Sequence, residues 1–434
     1  MASARDVGAE AAPPHLTRAQ RERQLARHNA WRSLAAPILY HFIASFRLAW
    51  PALSVSAAAL QPAPPGLFGT ASVVLGTQSG GAAAGGDALL IAEASVPDGA
   101  AEVEEDAQEI GLRGGRPALA VRQRLRHDGD VNAARPMPQM PELIATHSGA
   151  GAVLLFDTRR HPACVDPSAG SDAEAPAATR PRVLGRSAAE GYALAWSGQA
   201  AGMLAADDGA GVGGVRVWAA ASGGADEPPP IFACRPSGSA AVNDLSWSSS
   251  EAAVFAVASD AGLFCCDTRA SGRGGAALAA AAGRPLRCVD MHPSDGRRLA
   301  VGDERGGVDI IDLRSPAAPL HALRGHERGC AVARVAWNPH EELGGLLASA
   351  AGTVIIWDTS LTVAEAPPPR VAAAPPAEVA FVHGGHAAGA SDVCWLAGDS
   401  TGLALASVSP AAGGEDGEEP VQSNVFQIWR PHIG

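Results

Sequence analysis

The stretch EVAFVHGGHAAGASDVCW, from Glu378 to Trp395, contains the pattern on which the rest of the chain is built. An apolar run meets a Gly-His step, and Asp392 then opens a short alternating segment that ends in tryptophan. Two more apolar segments follow, LALASVS from Leu403 and NVFQIW ending at Trp429. Three short strands in succession, separated by Gly-rich turns, predict an antiparallel meander.

The same unit recurs along the chain. The third strands of successive units end at Asp157, Ala219, Asp267, Asp312 and Asp358, which lie 62, 48, 45 and 46 residues apart. This spacing is close to the WD-repeat period of ~40–45 residues, with insertions in the loops. With residues 50–57 as the first inner strand, the chain contains seven units. We therefore predict an all-β fold, a seven-bladed WD-repeat β-propeller with an N-terminal α-helix.

The N-terminal part of the chain is expected to precede the propeller and to complete it. Residues 1–15 are polar and rich in Ala and Pro, which predicts disorder. Capping-box spacing of Thr17 and Gln20 predicts an N-terminal helix within residues 16–36, which Pro37 stops or kinks. Residues 37–434 are expected to form the propeller. Its last blade lacks an outer strand, and residues 39–48 can supply it, because an open ring would leave an unpaired sheet edge.

Composition limits the classes of partner. The net charge is −12, so a basic protein is a better partner than nucleic acid, and direct sequence-specific DNA binding is not expected. Seven Cys without a CxxC motif fit a reducing, intracellular compartment. No run of about 18 apolar residues occurs, so we expect no membrane association.

No motif in the sequence specifies catalysis or a cofactor. Gly209, Gly211 and Gly214 spell GxGxxG, but a dinucleotide site needs that motif before a helix, and the strand VRVW follows instead. Metal binding by His383, His386 and Asp392 is the weaker alternative, because no Cys pair or third acid lies at ligand spacing. We therefore expect a non-enzymatic protein with no catalytic residue, no metal and no cofactor.

Three stretches resemble the retinoblastoma-binding type of histone-binding WD-repeat proteins, the family of the chromatin assembly factor one small subunit. They are PILYHFIASFRLAWPAL from Pro37, HDGDVNAARPMPQMPELIATHSGAGAVLLFDTRRHP from His127, and PPAEVAFVHGGHAAGASDVCW from Pro375. The resemblance implies a histone-binding scaffold or chaperone subunit of chromatin assembly, remodelling, deacetylase or Polycomb-type complexes. It implies core histones and other components of such complexes as partners, a monomer within a larger complex, and a location in the nucleus, with the cytoplasm as a second option.

The resemblance also implies two histone-binding sites. The first is a histone-tail site on the central face of the ring, and its residues here are Asp130, Asn132, Glu190, Tyr192 and Asp244. The second is a groove for an amphipathic histone helix, and its residues here are Trp31, Leu34, Ile38, Phe42, Pro375, Pro376, Glu378 and Phe381. The tail-site residues stand just before or at the start of predicted inner strands, where loop residues bind ligands. Turn capping by the acids and packing of the helix on the propeller are the structural alternatives.

A second class of function stays open at this point. The chain departs from the family pattern at residues 370–374, where RVAAA replaces an acidic run, and at Asn243, which replaces an acid. A generic WD-repeat adaptor, such as a ubiquitin-ligase substrate receptor or a ribosome-assembly factor, is therefore the alternative. Binding to core histones separates the two.

Overall fold

The computed structural model forms a ring of seven four-stranded antiparallel sheets, which confirms the predicted propeller. It describes residues 26, 28–61, 68–80, 86–97, 103–106, 109–112, 119–161, 180–187, 189–209, 213–220, 226–270, 275–277, 283–361, 376–396, 399, 401–410 and 424–433. The inner strands of successive blades are neighbours around the whole ring, and the inner strand of the last blade lies beside that of the first. Within these ranges, no helix combines the length and the apolar character that crossing a membrane requires.

The strands follow one another with the regular order of a repeat fold. In chain order they are β1 (Tyr40–Arg47), β2 (Ala52–Gln61), β3 (Phe68–Thr77), β4 (Asp87–Pro97), β5 (Val103–Asp106), β6 (Glu109–Leu112), β7 (Leu119–His127), β8 (Val131–Met137), β9 (Met140–Ser148), β10 (Ala152–Asp157), β11 (Arg182–Arg186), β12 (Leu194–Trp196), β13 (Met203–Asp207), β14 (Val215–Ala219), β15 (Phe232–Cys234), β16 (Val242–Trp247), β17 (Val254–Ser259), β18 (Gly262–Asp267), β19 (Gly275–Ala277), β20 (Leu286–Met291), β21 (Arg298–Asp303), β22 (Gly307–Asp312), β23 (His321–Arg324), β24 (Arg334–Trp337), β25 (Leu346–Ala350), β26 (Val354–Asp358), β27 (Val379–His383), β28 (Asp392–Trp395), β29 (Leu405–Val408) and β30 (Val425–Pro431).

Each blade is a meander that runs outward from the ring axis. From the inner to the outer strand, the blades are β2-β3-β4-β7, β8-β9-β10-β11, β12-β13-β14-β15, β16-β17-β18-β19, β20-β21-β22-β23, β24-β25-β26-β27 and β28-β29-β30-β1. Strands β5 and β6 form a separate hairpin. The GxGxxG glycines lie between the paired strands β13 and β14, so this motif belongs to a hairpin, as expected.

Four inner strands end in a tryptophan that links neighbouring blades. Each indole N–H donates a hydrogen bond to a backbone carbonyl on the inner strand of the preceding blade. The indole nitrogen to carbonyl oxygen distances are 2.8 Å for Trp196 to Arg135, 3.0 Å for Trp247 to Ala195, 3.1 Å for Trp337 to Asp290 and 2.9 Å for Trp395 to Ala336. The tryptophan that marks these repeats in the sequence therefore holds the blades together near the axis.

A second recurring contact holds the outer part of blades six and seven. In blade six, Ser349 accepts a hydrogen bond from the Trp357 indole at 2.8 Å, and its hydroxyl lies 2.6 Å from Nε2 of His326. In blade seven, Ser407 makes the same contacts with Trp429 at 3.0 Å and His386 at 2.7 Å. These are the two blades in which the sequence keeps the Gly-His step, so that step has a structural role here.

Strand β1 completes the seventh blade. It pairs antiparallel with β30, from Tyr40 opposite Pro431 to Arg47 opposite Val425. The backbone N–H of Leu48 continues this pairing with a hydrogen bond of 2.7 Å to the carbonyl of Asn424. The seventh sheet is therefore built from two parts of the chain that lie almost 400 residues apart.

The helix before β1, here called α1, comprises residues 28–39 and continues past Pro37. Its residues Trp31–Ala35 form a π-helical turn, in which the Ala36 N–H bonds to the Trp31 carbonyl. An α-helical turn, Ala36–Leu39, then includes Pro37 in its first turn. A proline there is tolerated because the widened turn before it changes the hydrogen-bond register. Residues 1–15 and much of the expected helix within 16–36 lie outside the described residues.

Deleting residues 1–47 removes α1 and β1 and exposes the edge of β30. We expect this variant to lose cooperative unfolding and to aggregate, because an unpaired strand edge is a template for intermolecular pairing. Deletion of residues 1–27 is the matched control, since it keeps α1 and β1, and it should unfold like the full chain. Thermal melts by circular dichroism and size-exclusion chromatography measure the difference. A soluble 48–434 chain with a single cooperative transition would contradict this view of ring closure.

Candidate protein-binding sites

The expected tail site lies on the face of the ring at which the inner strands begin. Asp130 directly precedes β8 and is partly exposed. Its carboxylate accepts hydrogen bonds from the backbone N–H groups of Ser79 at 3.0 Å and Gly80 at 2.9 Å. Burial raises the pKa of Asp130, and the nearby Asp87 adds to the shift. Asp130 therefore fixes a loop of blade one while adding negative charge to this face.

Asn132 joins blade two to the loop that carries Glu190 and Tyr192. Its side chain is buried, and its amide donates a hydrogen bond of 3.1 Å to the carbonyl of Gly191. A Cβ on Gly191 would lie 2.3 Å from the imidazole of His147, so only glycine fits in this loop. With Gly191 held against the blade, Glu190 is exposed and Tyr192 keeps 47% of its surface exposed. The structure thus brings Glu190 and Tyr192 together with the support that Asn132 provides.

Asp244 occupies a different environment from the other tail-site residues. It is buried in β16, and its carboxylate accepts hydrogen bonds from the backbone N–H groups of Leu245 at 2.9 Å and Val289 at 3.0 Å. It also forms an ion pair of 3.1 Å with Arg334. Asp244 therefore lies inside the channel of the ring, where it can support the face but does not present its charge at the surface.

On the side of the ring, Trp31 fixes α1 to blades six and seven. Its ring meets Tyr40 and His383 edge-on, at centroid distances of 5.7 Å and 5.9 Å. A Cβ on Gly384 would come within 3.2 Å of the Trp31 ring, so the glycine allows this close approach. Trp31 was expected to line the groove, but these contacts make it an anchor of the helix.

Beneath the helix, a buried hydrogen-bonded chain connects three elements. The Tyr40 hydroxyl donates to Nδ1 of His383 at 2.8 Å, and Nε2 of the same ring donates to the side-chain oxygen of Gln427 at 2.8 Å. The His383 ring also stacks on Trp429 at 4.1 Å with an interplanar angle of 1°. Strands β1, β27 and β30 are therefore held in one register under α1.

Leu34 and Ile38 point in the opposite direction. They lie four residues apart on one face of α1 and are 72% and 74% exposed, so they form an apolar pair at the surface. Such a pair on a helix that is itself anchored suits the docking of a partner's apolar side chains.

The remaining groove residues divide into core and rim. Phe42 is 1% exposed in the core between blades one and seven, with the Arg430 guanidinium 5.2 Å from its ring centroid. Phe381 is 6% exposed and stacks on Trp429 at 5.9 Å. Both therefore support the surface from below and do not line it. Pro376 and Glu378 are half-buried just before β27, and Pro375 lies outside the described residues.

A family model for the histone-binding protein RBBP4 of the CAF1 complex matches residues 27–98, which include α1 and the closing strand β1. The chain resembles the retinoblastoma-binding type of histone-binding WD-repeat proteins. It is also 25% identical to histone acetyltransferase type B subunit 2 of Candida glabrata over 425 residues, which cover 94% of this chain and 90% of that relative. The likeness to this type of protein therefore extends over the whole ring as well as the N-terminal segment.

The sequence analysis missed one group of residues, the charged side chains within the channel. Arg135 and Arg334 lie in the inner strands β8 and β24, and Asp290 lies in β20. The available signal was a charge inside a short apolar strand, since such residues are rarely buried unless they are paired. Only the closure of the ring shows that these side chains meet.

Acid should destabilise the fold through the histidines beneath α1. Burial lowers the pKa of His383 and lowers that of His386 to about 3. In the unfolded chain a histidine titrates near ~6.5, so the stabilisation is complete above that pH and is lost as the pH falls below it. Each buried neutral histidine then costs up to ~1.4 kcal/mol per pH unit. Urea denaturation between pH 7.5 and 4.5 measures the slope.

The His386→Asn variant should show a shallower dependence of unfolding free energy on pH. The matched control is His321→Asn in the outer strand β23, which should keep the slope of the unchanged chain. Equal slopes for all three proteins would contradict the assignment of acid sensitivity to the buried histidines.

Proposed function

We propose that this protein is a non-enzymatic histone-binding scaffold subunit of chromatin complexes and acts in the nucleus. The observation that carries the proposal is the outward-facing pair Leu34 and Ile38 on the anchored helix α1, within the segment that the histone-binding family model matches. The full-length relative supports it, because that protein is named as a subunit of a histone acetyltransferase.

The first partner surface is the side of the ring around α1, and we propose that it takes an amphipathic histone helix. Burying two leucine-sized side chains contributes roughly 3–6 kcal/mol. Association costs are of comparable size, so this pair cannot bind a partner tightly alone. Pro376 and Glu378, at the start of β27, are our candidates for the opposite wall of the groove.

The second partner surface is the central face, and we propose that it binds a basic histone tail. Asp130 and Glu190 supply negative charge, and Tyr192 supplies exposed aromatic area and a hydroxyl. Surface ion pairs contribute only ~0–1 kcal/mol each, so Tyr192 is the expected anchor and the acids mainly accelerate association. Asn132 and Asp244 have supporting roles in this proposal, because both are buried and hydrogen-bonded.

We further propose that the chain works as a monomer within a larger assembly and does not bind DNA by sequence. A generic WD-repeat adaptor remains the second candidate, favoured by the replacement of an acidic run by RVAAA at residues 370–374. The two candidates differ in one measurement, the retention of purified core histones at physiological salt.

Leu34→Asp should weaken binding of a histone helix peptide by ~2 kcal/mol, or about 30-fold, because buried apolar anchors dominate such interfaces. Isothermal titration calorimetry against a panel of core-histone helix peptides measures the loss. Leu320→Asp is the matched control, since Leu320 is 50% exposed in blade five, far along the ring from α1. The groove would be wrong if Leu34→Asp lowered the melting temperature and left the affinity unchanged.

Tyr192→Ala should weaken binding of a basic histone tail peptide by ~2 kcal/mol if this ring is the anchor. Glu190→Gln should cost less and should mainly reduce the dependence of the association rate on salt. Stopped-flow fluorescence with a labelled peptide at several salt concentrations measures both effects.

Two acidic segments offer a competing explanation for tail binding, residues 102–109 and the insertion at residues 415–419. Their carboxylates could attract any basic peptide. A variant with both segments neutralised should therefore retain most of its tail affinity. If neutralisation abolished tail binding while Tyr192→Ala left it intact, the central-face site would be refuted.

A further inference from the structure

The channel of the ring contains a charge network in which one carboxylate has no ionic partner. Arg334 pairs with Asp244 at 3.1 Å and with Asp392 at 3.7 Å. Arg135 pairs with Asp392 at 3.3 Å. In the part of the chain that the structure describes, no basic side chain lies within 4.0 Å of the fifth member, Asp290.

Asp290 is held by neutral groups alone. Its two oxygens accept hydrogen bonds from the backbone N–H of Trp337 at 2.9 Å and the hydroxyl of Ser246 at 3.1 Å. Burial raises the pKa of Asp290 to about 6, which still leaves the group ionised at pH 7. The channel therefore holds a buried negative charge whose position is fixed and whose counter-ion is not among the described side chains.

A cavity of about 410 Å³ adjoins this carboxylate, and we call it the lower channel. Its inner end is lined by Asp290, Arg135 and Arg334, and its walls include the rings of Trp196 and Trp247. Its mouth lies among turns that follow the inner strands, at Pro138, Gly198, Gln199, Ser249 and Pro293. Asp130, Glu190 and Tyr192 precede their inner strands, so the lower channel opens on the opposite face of the ring.

We propose that the lower channel binds the side chain of an arginine from a partner protein, with Asp290 as its counter-ion. A fixed carboxylate at the end of a wall of tryptophan and leucine side chains matches a cationic head on a long apolar stem. The volume lies within the ~300–1,000 Å³ of ordinary ligand pockets. This site requires no contact with Tyr192, so two basic segments can bind the two faces at once.

Other ligand classes fit the lower channel less well. An anion would be repelled by Asp290, and a neutral apolar group would leave the buried carboxylate uncompensated. A metal ion lacks ligands, because the described residues contain no group of three His, Cys, Asp or Glu side chains placed to hold one. A planar guanidinium can bond to the carboxylate and also stack on an indole ring.

The test is a titration of the full chain with n-butylguanidinium, followed by the indole N–H resonances of protein with ¹⁵N-labelled tryptophan. The resonances of Trp196 and Trp247 should shift with saturation, while those of Trp31 and Trp218 should not move. The neutral isostere n-butylurea should bind at least about tenfold more weakly, because it cannot pair with the carboxylate. Replacement of each tryptophan by Phe assigns the resonances.

Two substitutions locate the counter-ion. Asp290→Asn should weaken n-butylguanidinium binding at least about tenfold, because it removes the charge and keeps the shape. Asp295→Asn is the matched control, since it removes one charge from a turn after β20 but lies outside the lower channel, and it should bind like the unchanged chain. If Asp290→Asn does not fold, the comparison of the two probes on the unchanged chain decides.

Three results would overturn the proposal. They are the absence of saturable shifts at Trp196 and Trp247, equal affinity for n-butylguanidinium and n-butylurea, and unchanged affinity in a folded Asp290→Asn protein. Competition between the probe and a saturating histone tail peptide would also overturn it, because the probe would then occupy the face of Tyr192. Tail binding that fails while the probe still binds refutes the central-face site alone, so the two failures are distinguishable.

Discussion

The pairing of β1 with β30 is the constraint on which the rest of this structure depends. In a ring of radial sheets, each blade covers one face of the next, so a missing outer strand would leave both an apolar face and a row of unpaired backbone groups in water. The seven backbone pairs between Tyr40 and Arg47 on one strand and Pro431 and Val425 on the other prevent this. Because the two strands come from opposite ends of the chain, the propeller can close only when nearly all of it has folded.

The same pairing places the partner surface. Tyr40, the first residue of β1, reaches His383 in blade six, and that ring stacks on Trp429 in blade seven. Trp31 rests on this cluster and determines which side of α1 faces the ring. The exposure of Leu34 and Ile38 is thus a consequence of buried contacts on the other side of the helix. Closure and presentation of the apolar pair are therefore coupled physically, since they share the same aromatic cluster.

The interior of the ring shows how a scaffold can carry charge without losing stability. Most channel charges are paired, and the indole links of the inner strands keep the blades that carry them at a fixed distance. Asp290 differs because only neutral groups hold it. A buried carboxylate with fixed geometry costs free energy in the empty protein, and that cost is available as selectivity for a cationic partner.

The repeat spacing, the terminal tryptophans and the Gly-His steps were enough to predict a seven-bladed propeller, because they are local patterns that recur in the same form from blade to blade. The sequence also located Leu34, Ile38, Glu190 and Tyr192 as exposed candidates. It could not separate them from Trp31, Phe42 and Phe381, which are also large and apolar but support the surface from within. It could not place Asp244 inside the channel, nor show that Asp290 lacks a counter-ion, because those facts depend on contacts between blades. Periodicity along the chain determined the fold, and the closure of the ring decided which of its side chains are buried, paired or exposed to a partner.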